Sequence, residues 1–189
     1  MLKVAELDKR VYDLLADWRE MGDDSWDSGF LGMIRRLLPW FEDEGIVYAF
    51  SYCVAIRLHG GQCGQCASLA MTPASWERLG RTNGGRFDVR PDGANGSLSV
   101  RGLGYACTVK FIDSLEPIRT SIHGIYVVTL PYLIGTFLER ESQVTRGHVV
   151  GLIRANGLGR NFRVNLPEDR RPAYDSCLRS ARRRERQRE

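Results

Sequence analysis

The chain has 189 residues, 43% hydrophobic and 26% charged, with 27 Lys/Arg against 23 Asp/Glu. This composition excludes wholesale disorder and suits one domain with appendages. The charge is unevenly laid out: residues 1–45 carry 6 basic and 11 acidic side chains, residues 46–150 carry 10 and 7, and residues 151–189 carry 11 and 5.

Val4, Leu7, Val11, Leu14, Trp18 and Met21 follow helical spacing, and Gly22 ends that segment. Their narrow apolar stripe predicts a helix that could form the seam of a homodimer or dock a protein partner. Ser28 is placed to cap a second helix, with Leu31, Ile34, Leu37 and Leu38 on its buried side and Pro39 near its end. Residues 1–45 thus read as an acidic helical segment.

From Ile46 the pattern changes. Residues 46–58 are rich in β-branched and aromatic side chains and predict one long strand. His59 to Gly64 reads as a turn, and Cys66 to Met71 as the returning strand. Thr72 and Pro73 open a short helix through Trp76 and Leu79. Strands are expected at 86–90, within 97–112 and at 125–130, followed by a helix over 132–141. His148–Ile153 and Phe162–Leu166 flank Asn156-Gly157 and read as a final hairpin.

Past Pro172 the apolar signal fades into a basic tail ending Arg182-Arg183-Arg184-Glu185-Arg186-Gln187-Arg188, expected as a solvated helix or as disorder. The prediction is an α+β fold, N-terminal helices followed by a mostly antiparallel sheet with inserted helices, with a core domain over 46–171. No apolar run approaches the ~20 residues of a membrane helix. The acidic, amphipathic start is unlike a signal peptide, so no membrane partner and an intracellular setting, cytoplasmic or nuclear, are expected.

Three chemistries compete. The leading one is nucleic-acid binding, RNA ahead of DNA, by a non-enzymatic accessory protein whose size and layout suit a viral or mobile-element factor. Arginine outnumbers lysine 24 to 3, and guanidinium groups bind phosphate bidentately. Arg160, Arg163, Arg179, Arg182, Arg183, Arg184, Arg186 and Arg188 would supply phosphate contacts. Basic and aromatic residues also alternate in Arg86-Phe87 and from Arg101 to Phe111, so aromatics on a sheet face could stack bases. Residues 101–108, Arg-Gly-Leu-Gly-Tyr-Ala-Cys-Thr, partly resemble the RNP1 strand of the RNA-recognition motif. The match rests on Arg101, Gly102, Gly104 and Tyr105; Leu103 and Thr108 stand where that motif has aromatics.

The second chemistry starts from Gly61-Gln62-Cys63-Gly64-Gln65-Cys66-Ala67 and from Gly147-His148-Val149-Val150. These two segments resemble the cysteine and histidine signatures of papain-like cysteine proteases. The resemblance implies Cys66 as nucleophile, His148 as base on a strand, Asn165 orienting the imidazole and Gln62 donating to an oxyanion.

The third is zinc. Cys53, His59, Cys63 and Cys66 fall within 14 residues, and a Cys-x2-Cys knuckle in a glycine-rich turn suits tetrahedral coordination. On a straight strand Cys53 and His59 would lie about 20 Å apart, so His59, Cys63, Cys66 and Cys107 form the easier set. Without that metal no cofactor is expected.

Overall fold

A computed structural model describes residues 28–63, 66–85, 87–92, 95–100, 106–140 and 142–185. The expected stripe from Val4 to Met21 lies outside these residues, as do Arg101, Tyr105, Arg186 and Arg188. The chain runs α1 (Ser28–Asp43), β1 (Tyr48–Ser51), α2 (Cys53–Leu58), β2 (Ala67–Met71), α3 (Pro73–Thr82), β3 (Phe87–Asp92), β4 (Asn95–Val100) and β5 (Ala106–Phe111). It continues through β6 (Arg119–Ile122), β7 (Ile125–Val128), α4 (Leu130–Glu139), α5 (Gln143–Ala155) and α6 (Arg171–Glu185), with short 3-10 turns at Glu116–Ile118, Arg160–Asn165 and Glu168–Arg170.

The strands form one sheet in the order β3-β4-β5-β2-β1-β7-β6. Pairing is parallel between β1 and β7 and between β2 and β5, and antiparallel at the other four junctions. The fold is α+β, as the sequence predicts. Register divides the sheet's two faces. Tyr48, Phe50, Leu69, Met71, Val109 and Phe111 share one face. Phe41 of α1 packs against Tyr48, with ring centroids 4.8 Å apart, and Trp76 of α3 against Phe111 at 5.4 Å. Trp40 stacks on Phe87 at 4.4 Å. Gly96 is required beneath this layer, because a Cβ there would stand 2.7 Å from the Trp76 ring.

On the opposite face α4 covers β1 and β2, but Thr108, Lys110, Asn95 and Arg90 are exposed over β5, β4 and β3. A cleft lies at the boundary between the covered and open halves. One hydrophobic cluster extends from Ile34 of α1 to Ala181 of α6. Both end helices therefore pack into the same core as residues 46–171, and Tyr174, Cys177, Leu178 and Ala181 form the buried side of α6.

Two sequence expectations are corrected. The strand over 46–58 stops at Ser51; Tyr52 takes φ 55° and ψ −124°, and Cys53 begins a helix. The β-branched residues of α2 are tolerated because Val54, Ala55 and Ile56 are wholly enclosed, and enclosure outweighs local propensity. The hairpin over 148–166 is instead helix α5 followed by a 3-10 turn. Thr145, Val149, Leu152 and Ile153 are its buried residues, at i, i+4, i+7 and i+8, and Ser142 caps it by accepting from Thr145 N at 3.1 Å. Asn156-Gly157 closes that helix: Gly157 has φ 58°, its N–H reaches Arg154 O, and Leu158 N–H reaches Ile153 O. A left-handed glycine serves a helix end as readily as a hairpin. The paired turn that does join two strands is His123-Gly124, with φ 51° and 74°, between β6 and β7. Helix α1 also continues four residues past Pro39.

Candidate functional site: three cysteine sulfurs beside a cationic cleft

The segment from Tyr52 to Cys66 makes two sharp reversals. At the first, a non-glycine residue in the left-handed region, Tyr52, joins strand to helix without an intervening loop. This presents the Tyr52 ring at the sheet end, edge-on to Phe137 (5.4 Å) and His148 (6.0 Å), with the Arg140 guanidinium 6.0 Å away. At the second reversal Gly60, φ 77°, donates to Arg57 O and Gly61 to Ile56 O, a double helix-ending bond pattern. Gly61 is also packed so closely that a Cβ would stand 2.8 Å from Ile56 Cγ2 and 3.1 Å from the Ile56 carbonyl.

Together these turns bring Cys63 and Cys66 back onto Cys53. The Cα separations are 5.2 Å for Cys53–Cys63 and 5.6 Å for Cys53–Cys66. All three sulfurs lie within 4.8 Å of one another, Cys53 buried and the other two partly exposed. The Cys53 sulfur contacts both of the others. Arg57 sits beneath the loop, 6% exposed, and donates from Nε (2.8 Å) and also from Nη2 to the Cys63 carbonyl. Burial lowers its pKa from the usual arginine value. Its positive charge is thus held beside the thiols by a main-chain bond.

The cleft next to this group has a volume of about 390 Å³, a size typical of small-molecule sites. Cys66, Tyr52, Ser68, Thr108, Lys110 and Arg140 supply polar groups, and among the described residues no Asp or Glu lines the wall. Ala70, Val128, Leu133 and Phe137 give it an apolar floor.

The sequence candidates separate into different places. His59 is near the loop but its Nε2–H donates to Val128 O at 2.9 Å, and it is not part of the sulfur group. Cys107 is buried on β5, paired with Ala67, with its thiol pushed up to about 12 by burial; it too is outside the group. The expected set of His59, Cys63, Cys66 and Cys107 therefore gives way to Cys53, Cys63 and Cys66. A straight strand would carry Cys53 away from the turn; the bend at Tyr52 brings it in.

The papain-like arrangement lacks its supports. Cys66 precedes strand β2 and heads no helix, and His148 lies on α5. Its ring bonds the Gln62 backbone, while burial lowers its pKa. Exposed Asn165 borders a separate hollow with Pro131, Gly135 and Pro167.

The arginines also divide. Arg163 pairs with Asp175 at 3.2 Å, Arg170 with Glu139 and Asp169, and Arg171 with Glu168. Arg154 ties α5 to α6 by donating to the Ser180 and Ala181 carbonyls. Arg160, Arg179, Arg182 and Arg183 are exposed; Arg184 falls within α6. Between α5 and α6 runs a shallow groove of about 320 Å³, lined by Arg146, Gly147, Gly151, Arg154, Ser176 and Ser180 among others, with no carboxylate among the described residues that line it. Among the described residues the aromatics expected to stack bases are not on the open face: Phe87 and Phe111 turn toward Trp40 and Trp76, and Phe162 packs on Tyr174 at 5.6 Å. Among the described residues no helix is long and apolar enough to cross a membrane. No protein-family model matches this chain, and no curated protein matches it.

Proposed function

We propose that this chain is a non-enzymatic nucleic-acid-binding protein that grips the phosphate backbone, RNA first, through the outward side of α6. The observation that carries this reading is the division of that helix. Tyr174, Cys177, Leu178 and Ala181 are spent on the core, while Arg179, Arg182 and Arg183, at i, i+3 and i+4, face solvent together. Like charges at this spacing cost a helix a few tenths of a kcal/mol per pair. A polyanion reverses that cost and releases its own condensed counterions. The adjoining groove, with Arg146 and Arg154 along it, extends the same cationic strip. Because Phe87 and Phe111 are turned inward, this mode reads backbone charge, and weak sequence preference follows from it.

The test is binding of a fluorescent single-stranded RNA by the whole chain across a salt series. Affinity should fall steeply with salt, and Arg179→Ala/Arg182→Ala/Arg183→Ala should flatten the slope by about 2, near 0.7 for each lost phosphate contact. No binding at low salt, or an unchanged slope in the triple variant, overturns the reading. A duplex DNA of equal length ranks the two nucleic acids.

A further inference from the structure

From the convergence of Cys53, Cys63 and Cys66 we infer a zinc-type metal site with three thiolate ligands and a fourth coordination position open toward the cleft. A disulfide accounts for only part of the geometry. One sulfur closes one bridge, so a bond from Cys53 to Cys63 or to Cys66 leaves the remaining thiol with no reason to be there. A single ion explains all three. Tetrahedral Zn–S bonds of about 2.3 Å set sulfurs about 3.8 Å apart; no pair here is farther than 4.8 Å. An ion requires only that the Cys53 sulfur, which contacts both others, draw back from them on a backbone whose Cα separations are 5.2 and 5.6 Å. Ligands gathered that tightly suit one ion.

The surroundings fit the charge. A divalent ion with three thiolates carries one net negative charge, and Arg57, 6% exposed and fixed on the Cys63 carbonyl, sets a positive charge beside it. The backbone is specialised around the same loop, with Tyr52 and Gly60 both at positive φ and no room for a side chain at Gly61. Among the described residues no fourth His, Cys, Asp or Glu joins the three. Cys66 stands in the wall of the cleft, together with Lys110 and Arg140. The fourth position therefore belongs to water or to a small anion held by those cations, the open coordination that distinguishes reactive zinc sites from purely structural ones. This inference is independent of the nucleic-acid reading, because its residues lie on the other side of α5.

The whole chain, purified without a metal-binding tag under reducing conditions, is assayed for zinc and titrated with Co(II). One equivalent of metal per chain is expected, with intense sulfur-to-cobalt charge-transfer absorption and visible bands of a tetrahedral ion. Cys63→Ser and Cys66→Ser should lose those bands, whereas Cys107→Ser should keep them. Added azide should shift the visible bands, as an open position requires. In case the serine variants do not fold, wild-type protein gives the same answer. Three thiols should resist a thiol reagent until a strong chelator is added. Absence of metal with a mass two hydrogens short, three thiols that react at once without chelator, or cobalt bands surviving in a folded Cys63→Ser chain would overturn the site. Cobalt bands unmoved by saturating azide would overturn its open position.

Discussion

Helix α6 takes its shape from a pattern repeated along 15 residues, whereas the loop from Tyr52 to Cys66 takes its shape from single positions. Along α6 every third or fourth residue faces the core, so any one arginine on the outside is replaceable without loss of structure. In the loop, one left-handed tyrosine, one left-handed glycine and one crowded glycine decide where three sulfurs go. A distributed pattern tolerates change on its outer side, and a design concentrated in a few backbone angles does not. The two candidate functions inherit this difference.

The largest effect should come from breaking the anchored side of α6. Tyr174 is wholly buried and its hydroxyl donates to Gly159 O at 3.0 Å. Tyr174→Ala should lower stability by about 3–5 kcal/mol in denaturant titration. The arginine triple variant should stay within about 0.5 kcal/mol of wild type on the same axis. Equal losses from both would mean that the arginines are structural, and the contrast would vanish.

Next in size is Gly61→Ala, which pushes a methyl into Ile56 and its carbonyl and should cost about 1–3 kcal/mol. Gly60→Ala should cost less, about 1 kcal/mol, because the nearest atom is Ala155 Cβ at an ordinary 3.5 Å and only the positive φ is strained. A larger loss at Gly60 than at Gly61 in matched thermal melts would show that backbone angle, not crowding, governs the loop.

How much of this was legible follows from the same contrast. Helix α3 is announced by Thr72-Pro73, and the Thr72 hydroxyl does accept from Ser75 N at 3.2 Å. The apolar positions of α1 and the sheet's mainly antiparallel order are equally plain in the residue pattern. Helix α5 is legible too, because Ser142 and the 145-149-152-153 spacing mark it across the apolar run from His148 to Ile153. The bend at Tyr52 is not. Nothing in Phe50-Ser51-Tyr52-Cys53-Val54 marks a left-handed residue, since tyrosine is a poor candidate for one and the flanking residues favour strands. The bend is imposed by packing of α2 against β1, β2 and β7, a tertiary constraint that local sequence does not carry. Cys53 consequently joins the thiols for a reason invisible in spacing alone.

The smallest expected effect is a pH slope, and it sharpens the comparison because it belongs to the loop side only. His59 follows α2 directly, and burial lowers its pKa below the ordinary 6.5, partly offset by its bond to Val128 O. A histidine with a depressed folded pKa is proton-poor in the native state. The unfolded chain therefore binds more protons as pH drops below 6.5, and stability falls from there through the folded pKa, by at most about 1.4 kcal/mol per pH unit for one proton. Above 6.5 the contribution is complete and the profile is flat. His148 shifts in the same direction, also by burial first, so wild type should lose stability between pH 7 and pH 5 through both rings. His59→Gln, which can still donate toward Val128 O, should remove one part of that slope and leave the other. A variant whose slope matches wild type would place the titrating group elsewhere, and His59 would then be held to the sheet without the desolvation its position implies.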